Sequence, residues 1–305
     1  MKIIFIVNNK DNRLAKLLPK LDQYSRKVFQ GEVQFLFTER KKHAIELARQ
    51  ATENECDYLI AVGGDGTLHE VINGVMRSEI PSTEYPTIGL LPYGSANDFA
   101  RTAGICKSTE ELFELIQSNS TQKIDLGKLE LQETRETRYF INIVGVGLGP
   151  EVVRNMEQSS GVLGPGFQYF WHIIKGFLRY RKKQLSCSSD SWQWQGKLLQ
   201  MAIANGRFFG RAICIAPDAQ LADGKLQVAI FGNLSIWDYL KNLGKLKKGI
   251  KISHPQVFYQ QTSEVLIESE EACGIEADGE YVGIAPATIS VLPEALNFLK
   301  SSGKL

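Results

Sequence analysis

The stretch AVGGDGTLHEVINGV at residues 61–75 decides the predicted fold of this chain. Its start overlaps an apolar run, YLIAV (58–62), that has the length of a buried strand. Beyond the glycines, apolar residues recur at the i, i+3, i+4 and i+7 spacing of a helix face, at Leu68, Val71, Ile72 and Val75. Strand, glycine loop and helix in succession indicate a βα unit rather than a hairpin. Because ligands bind at the carboxyl ends of parallel strands, the glycine loop is a candidate binding site.

Strand-like and helix-like segments alternate through the first 120 residues. The predicted strands lie at 3–7, 33–38, 58–62 and 87–92, and the predicted helices at 14–25, 43–52 and 67–76. This alternation predicts an α/β domain that has a Rossmann-like parallel sheet with helices on its faces.

The pattern changes near residue 124, after which continuous or alternating β runs predominate. Turn dipeptides separate several of these runs, and both Asp223-Gly224 and Asp278-Gly279 fit hairpin turns. An antiparallel second domain, a sandwich or a barrel, is therefore predicted, interrupted by a helical stretch over 150–182. The predicted boundaries are 1–124 for the α/β domain and 125–292 for the β-rich domain, with 293–305 returning to the first.

Composition excludes several classes of function. The chain of 305 residues carries a formal net charge of +1, which argues against nucleic acid as the main partner. The five cysteines form no CxxC pair, so neither a disulfide framework nor a zinc site is predicted. No apolar stretch reaches the roughly 18–20 residues that span a bilayer. We therefore expect a soluble cytoplasmic protein with reduced cysteines.

The glycine loop itself allows two interpretations. Glycines let backbone amides approach a ligand closely, and a helix N-terminus favours anions, which suits a phosphate-binding loop. The loop equally fits a tight βα connection in which Thr67 and Glu70 form a helix capping box. It is neither a Walker loop nor a GxGxxG loop, and it lacks a phosphate-binding lysine. Because Asp65 would repel bare phosphate, its presence favours a Mg²⁺-bound nucleotide.

Two segments together carry a family resemblance. GGDGTLHEVINGV (63–75), followed by LLPYGSANDFAR (90–101), resembles the catalytic domain of diacylglycerol kinases, sphingosine kinases and bacterial lipid kinases. GGDGT alone also occurs in NAD kinases, and phosphofructokinases carry a related loop, whereas the pairing of both segments is far more specific to lipid kinases. KIDLG (123–127), APDAQLADGKLQV (216–228) and EADGE (276–280) extend the resemblance along nearly the whole chain. It implies a nucleotide-binding domain like that of NAD kinases and phosphofructokinases, followed by a lipid-acceptor domain.

The resemblance also implies where a nucleotide binds. The residues implied to hold ATP are Asn8, Thr38, Gly63, Gly64, Asp65, Gly66, Thr67, Glu70 and Ser95. Ser95 stands where the family usually has threonine, so a hydroxyl is retained. From spacing alone, Thr38 also fits a residue that caps the next helix, and Asn97 and Asp98 fit capping residues at a helix start.

Metal-binding and catalytic roles are implied for residues further along the chain. Gln220, Asp223 and Lys225 lie in the magnesium-associated segment, where the aspartate would supply a carboxylate and the other two residues backbone carbonyls. Glu280 matches the family's general base on the acceptor hydroxyl, and Asp125 matches an acid that supports the site. Asp65 is counted with these catalytic acids. Phosphoryl transfer requires this kind of positioning, charge neutralisation and a carboxylate near the attacking hydroxyl.

The loop after the first strand departs from the family. Lipid kinases carry an NPxSG-like segment there, whereas this chain has Asn8-Asn9-Lys10-Asp11-Asn12, which keeps the asparagine and lacks the proline and glycine. A loop without glycine approaches phosphates less readily. A nucleotide-binding regulatory protein without turnover is therefore an alternative to an active kinase.

Two segments fit contact with a membrane surface. Residues 162–183 predict an aromatic amphipathic helix that ends in Arg179, Arg181, Lys182 and Lys183. A second basic stretch, at 241–251, carries five lysines. Both patterns also fit a helix packed on a sheet and an ordinary solvated face.

We predict an ATP- and Mg²⁺-dependent lipid kinase that transfers the γ-phosphate to the hydroxyl of diacylglycerol or a related lipid. The alternatives are the regulatory nucleotide-binding protein and an NAD kinase-like enzyme. A lipid acceptor implies transient peripheral contact of a cytoplasmic protein with the membrane. No nucleic-acid partner is expected, and an open β domain is compatible with a homodimer.

Overall fold

The computed structural model of the protein describes residues 1–9, 18–19, 21–25, 29, 31–105, 107–157, 176 and 179–300. They divide into two compact units. Unit 1 comprises Met1–Leu126, Leu221–Asp223 and the described residues from Leu292 onward, and unit 2 comprises Gly127–Gln220 and Gly224–Val291. Of the predicted helix at 14–25, residues 18–19 and 21–25 are described and are helical. Nearly all of the predicted aromatic helix at 162–183 lies outside the described residues.

The sheet of unit 1 is built from parallel strands. These are β1 (Lys2–Val7), β2 (Glu32–Phe37), β3 (Tyr58–Gly63) and β4 (Thr87–Pro92), in the order β2-β1-β3-β4. The last strand of the chain also pairs parallel with β4, through Phe298 and Ile88. β1 and β3 are buried over almost their whole length, as expected of parallel strands that are covered on both faces. The predicted parallel sheet is confirmed.

Helices follow these strands, including those predicted at 43–52 and 67–76. They are α1 (His43–Glu53), α2 (Asp65–Val75), α3 (Asp98–Ala103) and α4 (Thr109–Gln117), with a short 3-10 turn at Ser82–Glu84. A Cβ on Gly74 of α2 would lie 2.4 Å from the backbone oxygen of Ile45, so glycine lets α2 approach α1 closely. Ser108 caps α4, because its hydroxyl accepts a hydrogen bond from the Glu111 amide at 3.1 Å.

Unit 2 consists mainly of antiparallel strands. From residue 121 onward the strands are β5 (Thr121–Leu131), β6 (Thr137–Phe140), β7 (Ile143–Gly147), β8 (Lys183–Ser188), β9 (Gln193–Leu198), β10 (Gln200–Ala204), β11 (Phe208–Phe209), β12 (Ile213–Cys214), β13 (Leu226–Phe231), β14 (Val257–Thr262), β15 (Glu264–Ser269), β16 (Gly274–Ala277), β17 (Glu280–Ile284) and β18 (Ala287–Leu299). One sheet of unit 2 has the order β14-β13-β10-β7-β16-β17. A second has the order β9-β8-β15-β18, in which β5 also pairs with β18 and β6 pairs with β5.

Apolar side chains of both sheets form one core in unit 2. The first sheet contributes Val144, Ile203, Val228 and Ile275, and the second contributes Leu185, Val265, Ile267 and Ile289. The opposite face of the first sheet packs in another cluster with α5 (Leu148–Glu157) and α6 (Ile236–Lys247). Successive strand residues point to opposite faces, which is why one strand serves both clusters. The predicted antiparallel sandwich is confirmed.

The two predicted hairpin turns differ in outcome. Asp278 and Gly279 have positive φ angles of 50° and 86° and join β16 to β17, so this hairpin prediction is confirmed. The hairpin prediction for Asp223-Gly224 is wrong. These residues precede β13, which pairs with β10 and β14, whereas the strand before them, β12, pairs with β11.

Two further predictions concern the cysteines, which are expected to be reduced, and membrane-spanning segments, of which none is expected. Cys56, Cys187, Cys214 and Cys273 are free and buried, and Cys106 lies outside the described residues. Within the described part of the chain, no helix combines the length and the hydropathy that crossing a membrane requires.

Candidate active site

The glycine loop of β3-α2 and the loop after β4 are held together by backbone contacts in unit 1. The Gly63 carbonyl accepts hydrogen bonds from the amides of Tyr93 at 2.7 Å and Gly94 at 3.2 Å. A Cβ on Gly94 would lie 2.4 Å from the Cα of Gly64, so the two loops touch backbone to backbone. This contact explains a requirement for glycine in both segments that carry the family resemblance.

Asp65 fastens the same two loops through its side chain. Its carboxylate accepts hydrogen bonds from the amides of Asp98 at 3.1 Å and Phe99 at 3.0 Å. These amides open α3, so Asp65 caps a helix that begins 33 residues further along the chain. Asn97 occupies the N-cap position but makes no side-chain cap, and its amide instead donates to the Gly94 carbonyl at 3.0 Å. The prediction that Asn97 caps this helix with its own side chain is wrong.

The predicted capping box of α2 is also wrong. α2 begins at Asp65 with Gly64 as its N-cap and without a side-chain cap, so Thr67 already lies inside the first turn. Glu70 instead accepts hydrogen bonds from the amides of Lys42 at 2.9 Å and Ala44 at 3.1 Å. It therefore caps α1, the neighbouring helix. The carboxylate of Glu70 positions the segment before α1 rather than its own helix.

Thr38 and Asn8 join the first loop to the glycine loop. The Asn8 amide donates to the Thr67 hydroxyl at 3.1 Å, and the Thr38 hydroxyl accepts from the Asn9 backbone amide at 3.3 Å. Thr38 is buried and does not cap α1, so that interpretation of its position is wrong. Residues 10–12 of the altered loop lie outside the described residues.

A pocket of about 340 Å³ opens at this junction. It is lined by Asn8, Thr38, Arg40, Lys41, Ala44, Gly64, Asp65, Gly66, Thr67, Glu70, Gly94, Ser95 and Ala96, all in unit 1. The structure thus brings together every residue predicted to hold ATP except Gly63, which is the last residue of β3. The volume is within the range of small-molecule sites, roughly 300–1,000 Å³.

The chemistry of the pocket suits an anion. Gly66 and Thr67 lie in the first turn of α2, where backbone amides have no acceptor within the helix. Ser95 lines the same space as the positive end of the α2 dipole. Both carboxylates that line the pocket, Asp65 and Glu70, already accept backbone hydrogen bonds.

Sequence reasoning missed two cations in the pocket, Arg40 and Lys41. The Arg40 guanidinium donates to Glu46 at 2.6 Å, and this hydrogen bond raises the pKa of Arg40 above its ordinary value. The signal was present as the basic run ERKK at 39–42, directly after a strand whose end faces the glycine loop. A charged run after a strand is typical of a solvated surface, so no binding role was predicted for these residues.

The remaining predicted acids lie outside this pocket. Asp125 is fully buried in unit 1, where its carboxylate accepts from the Glu294 amide at 2.8 Å and its own amide donates to Leu221 at 2.6 Å. Asp125 is thereby tied to the Leu221–Asp223 segment, which contains the predicted metal ligand Asp223. Gln220 and Lys225 are exposed residues of unit 2. Across the described residues, no three histidine, cysteine or acidic side chains are grouped to hold a metal ion.

Glu280 opens β17 in unit 2 and is half-buried. The turn before it is fixed by two acids, since Asp278 accepts from the amides of Asn142 and Ile143 and Glu276 accepts from the Gly279 amide at 2.8 Å. Asp278 also accepts from the Ile141 amide. The position of the Glu280 backbone is therefore set by a rigid turn.

Comparison with known proteins decides the family. The model of the diacylglycerol kinase catalytic domain matches residues 2–129, and that of the YegS C-terminal NAD kinase beta sandwich-like domain matches residues 142–300. A diacylglycerol kinase of Staphylococcus haemolyticus (strain JCSC1435) is 30% identical over 254 residues, which cover 82% of this chain and 73% of that protein. The chain belongs to the diacylglycerol kinase family. The family predicted from the paired glycine loops is confirmed, and membership makes this diacylglycerol kinase homologue a phosphotransferase of the lipid kinase class.

Other relatives of this diacylglycerol kinase homologue belong to the same family. A diacylglycerol kinase of Staphylococcus aureus (strain Newman) is 31% identical over 256 residues, covering 82% of this chain and 76% of that protein. A diacylglycerol kinase of Bacillus subtilis (strain 168) is 27% identical over 246 residues, covering 80% of this chain and 77% of that protein. A crystal structure of a diacylglycerol kinase from Bacillus anthracis str. Sterne has a TM-score of 0.74 at 20% identity and covers 99% of this chain and 97% of its own. That likeness shows a shared two-domain fold.

Proposed function

We propose that the protein is an ATP- and Mg²⁺-dependent lipid kinase that transfers the γ-phosphate to the hydroxyl of diacylglycerol or a related lipid. The observation that carries the proposal is the pocket at the start of α2, where the helix amides have no acceptor within the helix, in a chain of the diacylglycerol kinase family. The proposed ATP-binding residues are those predicted from the sequence, with Arg40 and Lys41 added.

Nucleotide phosphates fit the donors that surround the pocket. The amides of Gly66 and Thr67 would bind phosphate oxygens, and Arg40 and Lys41 would offset their charge. Glu70 and Asp65 line the same pocket, but both carboxylates already accept backbone hydrogen bonds. They therefore hold the loops in place, so that the amides are oriented before a ligand arrives.

Mg²⁺ fits the site only together with a nucleotide. Mg²⁺ is usually bound by one or two carboxylates, by substrate phosphates and by water rather than by a cage of protein ligands. Asp65 is the carboxylate that could share such an ion with the phosphates, and no group of three acids is present among the described residues. When bound, the ion would neutralise charge on the transferred phosphoryl group. Gln220, Asp223 and Lys225 are the proposed metal-binding residues, Asp223 through its carboxylate and the other two through backbone carbonyls.

Glu280 is the proposed general base. A half-buried carboxylate on a rigid turn has the chemistry to accept a proton from an acceptor hydroxyl. Asp125, buried and hydrogen-bonded, is proposed to support the site through the segments that it anchors.

A second candidate is a nucleotide-binding regulatory protein without turnover, favoured by the loop at Asn8-Asn9-Lys10-Asp11-Asn12. The deciding experiment supplies the purified protein with labelled ATP, Mg²⁺ and mixed micelles that contain separate lipid alcohols. Transfer of label to a lipid by the intact protein, but not by Glu280→Gln, supports the kinase. Mg²⁺-dependent ATP binding without transfer to any lipid or to NAD supports the regulatory protein instead.

Glycine substitutions test whether phosphate approaches the loop. Gly66→Ala is expected to leave stability unchanged or raised by about 0.5–1 kcal/mol, because a Cβ there meets no atom within 4 Å and alanine favours the helix. It should nevertheless lower ATP affinity about tenfold, since the Cβ occupies space that a phosphate needs. Calorimetric titration and thermal unfolding measure the two effects.

Gly94→Ala is the matched control for that prediction. Its Cβ would clash with the Gly64 Cα, so we expect a loss of about 1–3 kcal/mol of unfolding free energy together with lost binding. Unchanged ATP affinity in Gly66→Ala would show that phosphates do not lie against this part of the loop.

Arg40→Ala is expected to raise the KM for ATP about tenfold or more with little change in kcat, because Arg40 contributes ground-state binding of phosphate. Arg49→Ala is the control, since Arg49 also pairs with a glutamate, Glu53, but does not line the pocket. Steady-state kinetics at varied ATP should separate the two variants. Equal effects in both would assign Arg40 to the stability of α1 alone.

A further inference from the structure

Helix α6 of unit 2 has one face in the core and one face in solvent. Leu246 is buried, and Tyr239 and Leu243 pack with it on the cluster under the first sheet. These three residues are spaced at i, i+4 and i+7, so they define a single inner face. Nothing in the fold therefore requires apolar residues on the opposite face.

The outer face nevertheless carries a tryptophan. Trp237 is 76% exposed, the largest exposure among the exposed large hydrophobic side chains of the described residues. At i+4, i+8 and i+11 from it stand Lys241, Lys245 and Lys248, all exposed. We call this face, Trp237 with Lys241, Lys245 and Lys248, the tryptophan-lysine face. Ile250, 50% exposed, follows just after the helix.

The lysines of this face outnumber the acids beside it. Residues 241–251 contain five lysines and no acid. Asp238 is engaged at the helix start, where Ser235 and Asp238 form a capping box. In the part of the chain that the structure describes, no salt bridge involves Lys241, Lys245 or Lys248, whereas Lys251 pairs with Asp218.

Two more lysines extend the positive region toward the start of α6. Lys182 donates to Asn233 at 2.6 Å, and its pKa is lowered by partial burial and by the charge of Lys197. Asn233 lies two residues before the helix cap Ser235, so Lys182 lies near the start of the helix, and Lys197 stands opposite Gln184 in the β8-β9 ladder. Like charges gathered at one place indicate an anionic partner.

We propose that the tryptophan-lysine face binds the anionic surface of a lipid bilayer, with Trp237 inserted at the headgroup level. Tryptophan favours the interface between water and hydrocarbon, and lysine side chains reach anionic headgroups while their stems lie along apolar surface. A nucleic acid is disfavoured, since the chain carries a net charge of only +1 and the face has one aromatic side chain on which bases could stack. This inference rests on the proposed function in one respect, namely that the acceptor of a lipid kinase resides in a bilayer.

Gly244 provides a substitution that the fold tolerates. It lies on the tryptophan-lysine side of α6, and a Cβ there meets no atom within 4 Å. Gly244→Ala is therefore expected to keep vesicle binding and to stabilise the helix. Gly244→Glu adds a negative charge between the lysines without steric conflict, so it tests the surface in a protein that still folds.

The test is co-sedimentation with vesicles of phosphatidylcholine with and without phosphatidylglycerol. Each lysine near an anionic surface contributes a factor of about five in partitioning. Lys241→Glu/Lys245→Glu is therefore expected to lower partitioning at least about 25-fold, and Gly244→Glu about fivefold. The control, Lys107→Glu/Lys123→Glu, makes the same change of net charge on exposed lysines of unit 1 and is expected to keep binding.

Quenching by brominated lipid reports on Trp237 directly. The chain has four tryptophans, so the readout is the part of the quenching that disappears in Trp237→Phe. We expect that difference to be present with anionic vesicles and to fade as salt rises. No difference, equal loss of sedimentation in the unit 1 control, or equal binding to uncharged vesicles overturns the proposal. Loss of affinity for RNA instead of vesicles in the α6 variants also overturns it.

Failure of this inference differs from failure of the proposed kinase. With short-chain diacylglycerol dispersed in detergent, the α6 lysine variants are expected to phosphorylate as fast as the unmutated protein, while activity on vesicle-embedded diacylglycerol falls with partitioning. Absence of transfer in detergent for every variant would reject the kinase, and sedimentation would still decide the membrane surface on its own.

Discussion

Asp65→Ala is expected to lower kcat for phosphoryl transfer about 10³-fold or more, and to lower the free energy of unfolding by about 1–2 kcal/mol. Two roles of one carboxylate cause these effects. It caps α3 through the amides of Asp98 and Phe99, and it lines the proposed phosphate pocket. Loss of the cap releases the second loop from the glycine loop, so the amides that would bind phosphate lose their orientation.

Asp65→Asn separates the two roles. The asparagine side chain still offers one oxygen to the amides of α3, so most of the stability is expected to remain. The negative charge that would share Mg²⁺ with the phosphates is lost, and kcat is expected to fall nearly as far as in Asp65→Ala. Thermal unfolding beside kinase assays at varied Mg²⁺ measures both quantities on the same preparations.

Ser108→Ala is the control for the effect of a lost helix cap on the free energy of unfolding. It removes the cap of α4, and Ser108 does not line the pocket. We expect it to cost about 1 kcal/mol and to leave kcat unchanged. If Asp65→Asn keeps kcat within a few-fold of the unmutated protein, the carboxylate acts as a cap only, and the proposed metal contact of Asp65 is wrong.

Helices and strands of unit 1 with a strong local periodicity were predictable from the sequence, whereas α4 and α6 were not predicted. The i, i+3, i+4, i+7 apolar pattern after the glycine loop predicted α2, which the structure places at Asp65–Val75. The caps were not predictable in the same way. Thr67 and Glu70 have capping-box spacing, yet Glu70 caps α1, whose capped amides lie 26 and 28 residues away. A capping side chain can come from any segment that folds beside the helix end, and sequence spacing does not record such contacts.

The candidate site was likewise predictable where the signal is local and unpredictable where it depends on contacts between distant segments. The paired glycine loops pointed to one location, and the structure brings eight of the nine predicted ATP residues into one pocket there. No role was predicted for Arg40 and Lys41, because their place in the pocket depends on the sheet order, in which β1 lies between β2 and β3. Asp223-Gly224 misled for a related reason, since a turn dipeptide does not say which strands pair on either side of it.

Glu280→Gln is expected to lower kcat by about 10²–10⁴-fold while leaving ATP affinity unchanged. The proposed base acts on the acceptor hydroxyl, whereas the residues proposed to bind ATP all belong to unit 1. Glutamine is nearly the same size, and the turn before β17 is held by Glu276 and Asp278 rather than by Glu280. Folding should therefore be preserved, so that a loss of rate reports on proton transfer.

Two control variants separate loss of the base from loss of the turn. Glu264→Gln, at an exposed acid at the start of β15 in the same unit, should keep both the rate and the stability. Glu276→Gln is expected to weaken the turn, which should lower stability and rate together, whereas Glu280→Gln should lower the rate alone. Unchanged kcat in Glu280→Gln would assign the base to another residue, because glutamine cannot accept the proton of the acceptor hydroxyl.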